Sequence, residues 1–185
     1  MYQLYIDFDG VIWDSWSIYD RIIEEKDKML YDNYKKNTLT SEDIIKMREI
    51  FKDLDFEKAF QESNQLNDSI KHIKYLQDQN MFNIKVLTHC NSENEIKNKQ
   101  KIIDKHLDNI MVIPVYQPNC KTTAVDPKGT ILIDDYSKNI QAWINAGGLG
   151  IKFADEENDL FHSIYSLDKV IDIINLNEKI TLIKK

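Results

Sequence analysis

The sequence predicts an α/β protein, a parallel sheet with helices on both faces and a helical segment inserted after the first strand. An apolar stretch at the start, Tyr2 to Phe8, reads as a buried strand and runs into acidic residues. Everything from Trp13 to Asn80 reads as helix. From Phe82 onward strands and helices alternate, a pattern that gives parallel strands joined by crossovers.

Taken in order, the first strand ends at Asp7–Gly10. A long helix is expected from about Asp14 to Lys36, because Trp16, Tyr19, Ile22, Ile23, Met29 and Leu30 recur at helical spacing. Thr40 to Asp43 (TSED) predicts a capping box opening a second helix through Ile44, Met47 and Phe51. Further helices are expected over Phe56 to Ser63 and Asp68 to Gln79. Phe82 to Thr88 is a second strand, His89 to Ser92 a loop, Glu93 to Leu107 a charged helix and Ile110 to Val115 a short strand. Asp126 to Gly129 (DPKG) is a turn leading into the strand Thr130 to Asp134. Ser137 to Ala146 is a helix stopped by Gly147–Gly148, followed by a strand at Leu149 to Phe153. Leu167 to Leu176 is a terminal helix, and the lysine-containing tail frays.

Composition narrows the function. The 185 residues suit one compact core with a small inserted subdomain. The net charge of −7 disfavours a nucleic-acid polymer as ligand, whereas a small phosphorylated molecule is compatible with a local positive site. There is no apolar run of membrane-spanning length and no signal-peptide pattern at MYQLYIDFDG, so no membrane partner and a cytoplasmic location are expected. Cys90 and Cys120 are too few for a zinc framework and read as free thiols.

In open parallel sheets, sites lie at the carboxyl ends of strands. Asp7 and Asp9 end the first strand, Thr88 the second, and Asp134 and Asp135 the strand TILID, with Lys121 just before it. Carboxylates, one hydroxyl and one lysine are what phosphoryl transfer requires. The carboxylates hold a magnesium ion through oxygen, the cations neutralise the phosphate, one carboxylate attacks phosphorus and another moves the proton.

These segments carry a resemblance. YIDFDGVIWDS resembles the first motif of the haloacid dehalogenase-like (HAD) superfamily, VLTHC its second, Lys121 in NCKTTAV its third and ILIDDYSKN its acidic fourth. Within that superfamily, LTHCNS, the helix ending in KHL, Lys121–Thr122, LIDD and AGGLGI look most like the 5′(3′)-deoxyribonucleotidase-type group. The resemblance implies a three-layer, Rossmann-like core over residues 1–12 and 81–185, with a small helical cap over 13–80. It implies a magnesium-dependent hydrolase of a small phosphomonoester, such as a nucleoside monophosphate, acting through an aspartyl-phosphate. Asp7 would be nucleophile and metal ligand, and Asp9 the general acid and base, binding the metal through its carbonyl. Thr88, His89 and Lys121 would bind the phosphate, and Asp134 or Asp135 the metal.

Several alternatives stand beside this. Lys99, on the helix after the second motif, rivals Lys121 for the phosphate. Trp13, Trp16 and Tyr19 form either a substrate-facing wall or part of the core. A His89–Cys90–Cys120 metal site would lack a fourth ligand. The substrate is alternatively a sugar phosphate or another metabolite, or the chain is a non-catalytic binding or regulatory protein of the same fold.

Overall fold

The computed structural model describes residues 1–156 and 160–183, with side chains to residue 176; Lys184 and Lys185 of the expected fraying tail lie outside the described residues. Strands β1 (Tyr2–Ile6), β2 (Phe82–Cys90), β3 (Val112–Tyr116), β4 (Ile131–Asp134), β5 (Leu149–Phe153) and β6 (His162–Ile164) form one parallel sheet in the order β3-β2-β1-β4-β5-β6. β1 is central, and the winding reverses on either side of it. The crevice at such a reversal opens at the carboxyl ends of β1, β2 and β4.

The central strands are apolar on both faces because both faces are covered: Leu4, Ile6, Leu132 and Ile133 are fully buried. β2 runs two residues further than its apolar pattern suggests. Parallel pairing of His89 with Val115 and Cys90 with Tyr116 draws the expected loop residues His89 and Cys90 into the strand. β6 has no sequence signal of its own and forms by pairing Ser163 and Ile164 with Lys152 and Phe153.

Between β1 and β2 the chain forms α1 (Ser15–Lys26), α2 (Lys28–Lys35), α3 (Ser41–Lys52), α4 (Phe56–Gln61) and α5 (Ser69–Asp78). The single helix expected over Asp14 to Lys36 is therefore two. Asp27 is extended (φ −154°, ψ 97°), and its carboxylate accepts from the Leu30 amide at 3.0 Å, capping α2. The TSED capping box is present: Thr40 Oγ1 accepts from the Asp43 amide at 3.2 Å and Asp43 Oδ2 from the Thr40 amide at 3.0 Å.

Later come α6 (Glu93–His106), the short α7 (Lys121–Ala124), α8 (Ser137–Asn145) and, after a 3₁₀ turn at Leu167–Lys169, α9 (Val170–Ile183). One face of the sheet packs against α5, α6 and α9, where Ile73, Leu76, Ile103 and Val170 meet Leu4, Ile6, Val86 and Ile133. The opposite face packs against α8, where Ile140 and Trp143 meet Tyr5, Leu87 and Leu132. Among the described residues no helix is long and apolar enough to cross a membrane.

Candidate active site

The first βα turn sets the site. Phe8 O accepts from the amides of Ile12 (3.0 Å) and Trp13 (2.9 Å), and the Gly10 amide donates to Trp13 O at 2.9 Å. Gly10 has φ +72°, and a Cβ there would lie 2.2 Å from Asp135 Oδ2 and 2.6 Å from Trp16 Nε1. Only glycine lets the turn close against these two side chains.

Two buried lysines reach the acidic residues from opposite faces of the sheet. Lys121, on α7, is 1% exposed and places Nζ 2.9 Å from Asp7 Oδ2 and 2.6 Å from Asp134 Oδ2. Lys99, on α6, is fully buried and places Nζ 2.5 Å from Asp9 Oδ2, 2.8 Å from Glu95 Oε1 and 3.2 Å from Thr88 Oγ1. It also donates to the His89 carbonyl at 2.9 Å. The two rivals therefore occupy different stations, Lys121 on Asp7 and Lys99 on Asp9. Burial alone would lower both ammonium groups; Asp9 and Glu95 hold Lys99 well above its ordinary value, and Asp7 and Asp134 hold Lys121 above it.

The carboxylates differ in their settings. Asp7 Oδ1 accepts from the Phe8 amide at 2.8 Å, and burial pushes its pKa up to about 7 against the opposing pull of Lys121. Asp134 has no exposed surface; Oδ1 accepts from the Tyr136 amide (2.8 Å), and Oδ2 accepts from Asn139 Nδ2 (2.9 Å) as well as Lys121. Asp135 accepts from Trp16 Nε1 at 3.1 Å and is pushed up to about 6, first by burial and then by Asp134. Thr88 is fully buried, its hydroxyl 3.3 Å from Asp9 Oδ2. His89 is held below its ordinary value by burial and then by Lys121, so its ring is neutral at pH 7.

The donor set suits a hard divalent cation. One carboxylate oxygen each from Asp7, Asp134 and Asp135 lie within 4.8 Å of one another. Oxygens around an octahedral ion with bonds of about 2.0–2.1 Å are separated by about 3–4 Å, so small side-chain adjustments suffice. The residues around the turn also carry an excess of negative charge, with Asp7, Asp9, Glu95, Asp134 and Asp135 against Lys99 and Lys121. Among the described residues no His/Cys cluster of three or more assembles; Cys90 is buried, its thiol pushed up to about 12 by burial, and Cys120 is exposed.

The expected aromatic wall divides. Trp16 is 43% exposed and lies edge-on to Tyr19 at 5.9 Å, while the Tyr19 hydroxyl reaches Asp9 Oδ1 at 3.4 Å. Trp13 is buried, stacks on Phe8 and spends its indole N–H on Ser63 Oγ at 2.7 Å, so the core reading applies to it. Glu95 enters the site, on Lys99, without having been predicted there. The Glu95–Lys99 spacing of i,i+4 was a visible signal, but it is equally common on solvated helix faces.

No protein-family model matches the sequence, and no curated protein matches it. Solved structures do match in fold. A HAD-superfamily hydrolase of subfamily IA from Geobacter sulfurreducens is 12% identical, with a TM-score of 0.63 over 94% of this chain and 99% of that one. A HAD hydrolase from Bacillus subtilis, bound to magnesium, is 12% identical at a TM-score of 0.63, covering 94% and 98%. A predicted phosphoglycolate phosphatase from Haemophilus somnus is 13% identical at a TM-score of 0.63, covering 93% and 97%. The chain has the Rossmann-type α/β fold of the HAD-superfamily hydrolases.

Proposed function

We propose that this protein is a magnesium-dependent phosphomonoesterase with Asp7 as nucleophile and Asp9 as general acid and base. One observation carries the reading. Two aspartates two residues apart on one turn are each held by a different buried lysine, with Asp134 and Asp135 beside the first. A structural ion-pair network has no need to bury two lysines against a pair of aspartates at the carboxyl end of the central strand.

In this reading a phosphomonoester places its phosphoryl group between Asp7 and Thr88. Magnesium held by Asp7, by Asp134 or Asp135 and by the Asp9 carbonyl would neutralise phosphate oxygens. Lys121 keeps Asp7 oriented and offsets its charge as it nears the anion. The Asp7 carboxylate forms a bond to phosphorus as the ester P–O bond breaks, and Asp9 gives its proton to the leaving oxygen. Asp9, now a base, takes a proton from the water that attacks the aspartyl-phosphate; phosphate leaves and Asp7 is restored. Lys99 and Tyr19 hold Asp9 in place.

We take α1 to α4 as the cap. Of the helices between β1 and β2, α5 is the one that packs directly on β2, which favours α5 as a crossover helix of the core. α1 supplies Trp16 and Tyr19 to the crevice, and Asp135 is among the charges that raise Tyr34 of α2, after burial and Asp20. The half-exposed ring of Trp16 lies against Asp135, which supports a planar leaving group such as the nucleoside of a nucleoside monophosphate. A second reading, a small metabolite phosphate, is favoured by the fold likeness to a predicted phosphoglycolate phosphatase.

Hydrolysis of a panel of nucleoside monophosphates, sugar phosphates and phosphoglycolate, with magnesium and with EDTA, tests the proposal. Magnesium-dependent release of phosphate from at least one member is expected. No turnover on any of them would favour the non-catalytic alternative.

A further inference from the structure

A cavity of about 490 Å³ opens between α4, α6 and residues 63–65, and none of the proposed catalytic residues lines it. Its size falls among small-molecule sites. Trp13, Phe60 and Ile102 form an apolar wall, and Glu57 is the one carboxylate on a rim that also carries Lys101, Lys105 and His106. Lys101 is 3.5 Å from Glu57, which leaves Lys105 without an ion-pair partner among the described residues. His106 lies 6.3 Å from Trp13, ring centre to ring centre, with 35° between the planes. Lys74 adds further positive charge, since it lowers His106 after burial and Lys105. In a chain of net charge −7, this is a locally cationic recess beside an indole.

The recess also touches the proposed catalytic turn. The Trp13 ring lines the cavity, while its main chain closes that turn: its carbonyl accepts from the Gly10 amide and its amide donates to Phe8 O. On the other wall, Asn98 lines the cavity and precedes Lys99, the partner of Asp9.

We propose that this cavity binds a small aromatic anion, the ring against Trp13 and the negative group at Lys105, and that the occupant is linked to the catalytic turn through Trp13. The ring gains contact with the edges of Trp13, Phe60 and Ile102 that line the cavity, and the anion gains the uncompensated ammonium. Linkage runs both ways, so whatever reorders the turn changes affinity in the cavity. The binding claim does not rest on the phosphohydrolase reading.

The test is titration of ¹⁵N-labelled protein with 1-naphthoate, and with neutral 1-naphthamide as control, followed by assigned amide and indole resonances. Saturable shifts at the Trp13 indole and the Gly10 amide are expected, with weaker binding of the amide. Lys105→Glu, an exposed change, should weaken 1-naphthoate about tenfold and leave 1-naphthamide unchanged. Gln61→Trp, at an exposed rim position, should fill the recess and abolish both. Absence of saturable shifts, shifts centred on Trp16 and Thr88, or equal affinity in Lys105→Glu overturns the site. A Trp13 shift without a Gly10 shift overturns the linkage.

Discussion

Replacing Lys121 by methionine removes a buried charge while keeping an unbranched apolar stem. In the structure the Lys121 ammonium lies 2.9 Å from Asp7 Oδ2 and 2.6 Å from Asp134 Oδ2, and the residue is 1% exposed. At an effective dielectric of about 20, each contact is worth about 6 kcal/mol before desolvation is counted. Desolvation cancels much of this, and removing one partner of a buried pair costs about 3–5 kcal/mol, because the remaining charge stays buried. For a chain of this size each kcal/mol moves Tm by about 2–4 °C, so Lys121→Met in EDTA should melt about 10 °C below the parent protein. Magnesium supplies a second readout. The carboxylates left without an ammonium are those proposed to hold the cation, so magnesium should raise Tm more in Lys121→Met than in the parent. Thermal melts by circular dichroism, with EDTA and across a magnesium series, measure both. A variant melting within about 2 °C of the parent in EDTA, or gaining no more from magnesium than the parent does, would show that Lys121 does not balance these carboxylates.

Three further outcomes are expected. Asp9→Asn should keep the fold and lower turnover by about 10²- to 10⁴-fold, as loss of a general acid and base does; near-parental turnover would remove Asp9 from that role. Trp16→Ala should leave Tm within a few degrees, since Trp16 is 43% exposed, and should reduce activity on a nucleoside monophosphate about tenfold more than on a small aryl phosphate; parallel losses on both substrates would count against a substrate wall. In EDTA the protein should lose stability as pH rises from about 4 to about 7, because Asp7 and Asp135 are pushed up to about 7 and about 6 and keep protons that the unfolded chain has already lost. Urea midpoints at pH 5 and pH 8 measure this, magnesium should flatten the slope, and stability rising over that window would contradict it.

The α/β class and the acidic turn were legible in the sequence because both have strong local signatures. Buried parallel strands are continuous apolar runs, and the acidic residues stand where those runs end. The TSED capping box was readable because two side chains three positions apart define it completely. What escaped depends on partners distant in sequence. β6 is three residues that become a strand only beside β5, and His89 joins β2 only because Val115 pairs with it. The break at Asp27 was hidden by hydrophobic periodicity on both sides of it. Lys99 and Lys121 could not be ranked from sequence, since which carboxylate a lysine meets depends on the face of the sheet its helix covers. The same holds for Trp13 and Trp16: both follow the turn, but one points into the core against Phe8 and Ser63 and the other toward Asp135.

In the proposed reaction Asp7 carries the phosphoryl group. The direct test is acid quench of the protein during magnesium-dependent turnover of a substrate found in the panel, followed by borohydride reduction and peptide mass spectrometry. Reduction converts an aspartyl-phosphate to homoserine and leaves unmodified aspartate alone. Homoserine is expected at position 7, absent in EDTA and absent in Asp7→Asn. Homoserine at position 9 or at either residue of the Asp134–Asp135 pair, or full turnover by Asp7→Asn, would contradict it.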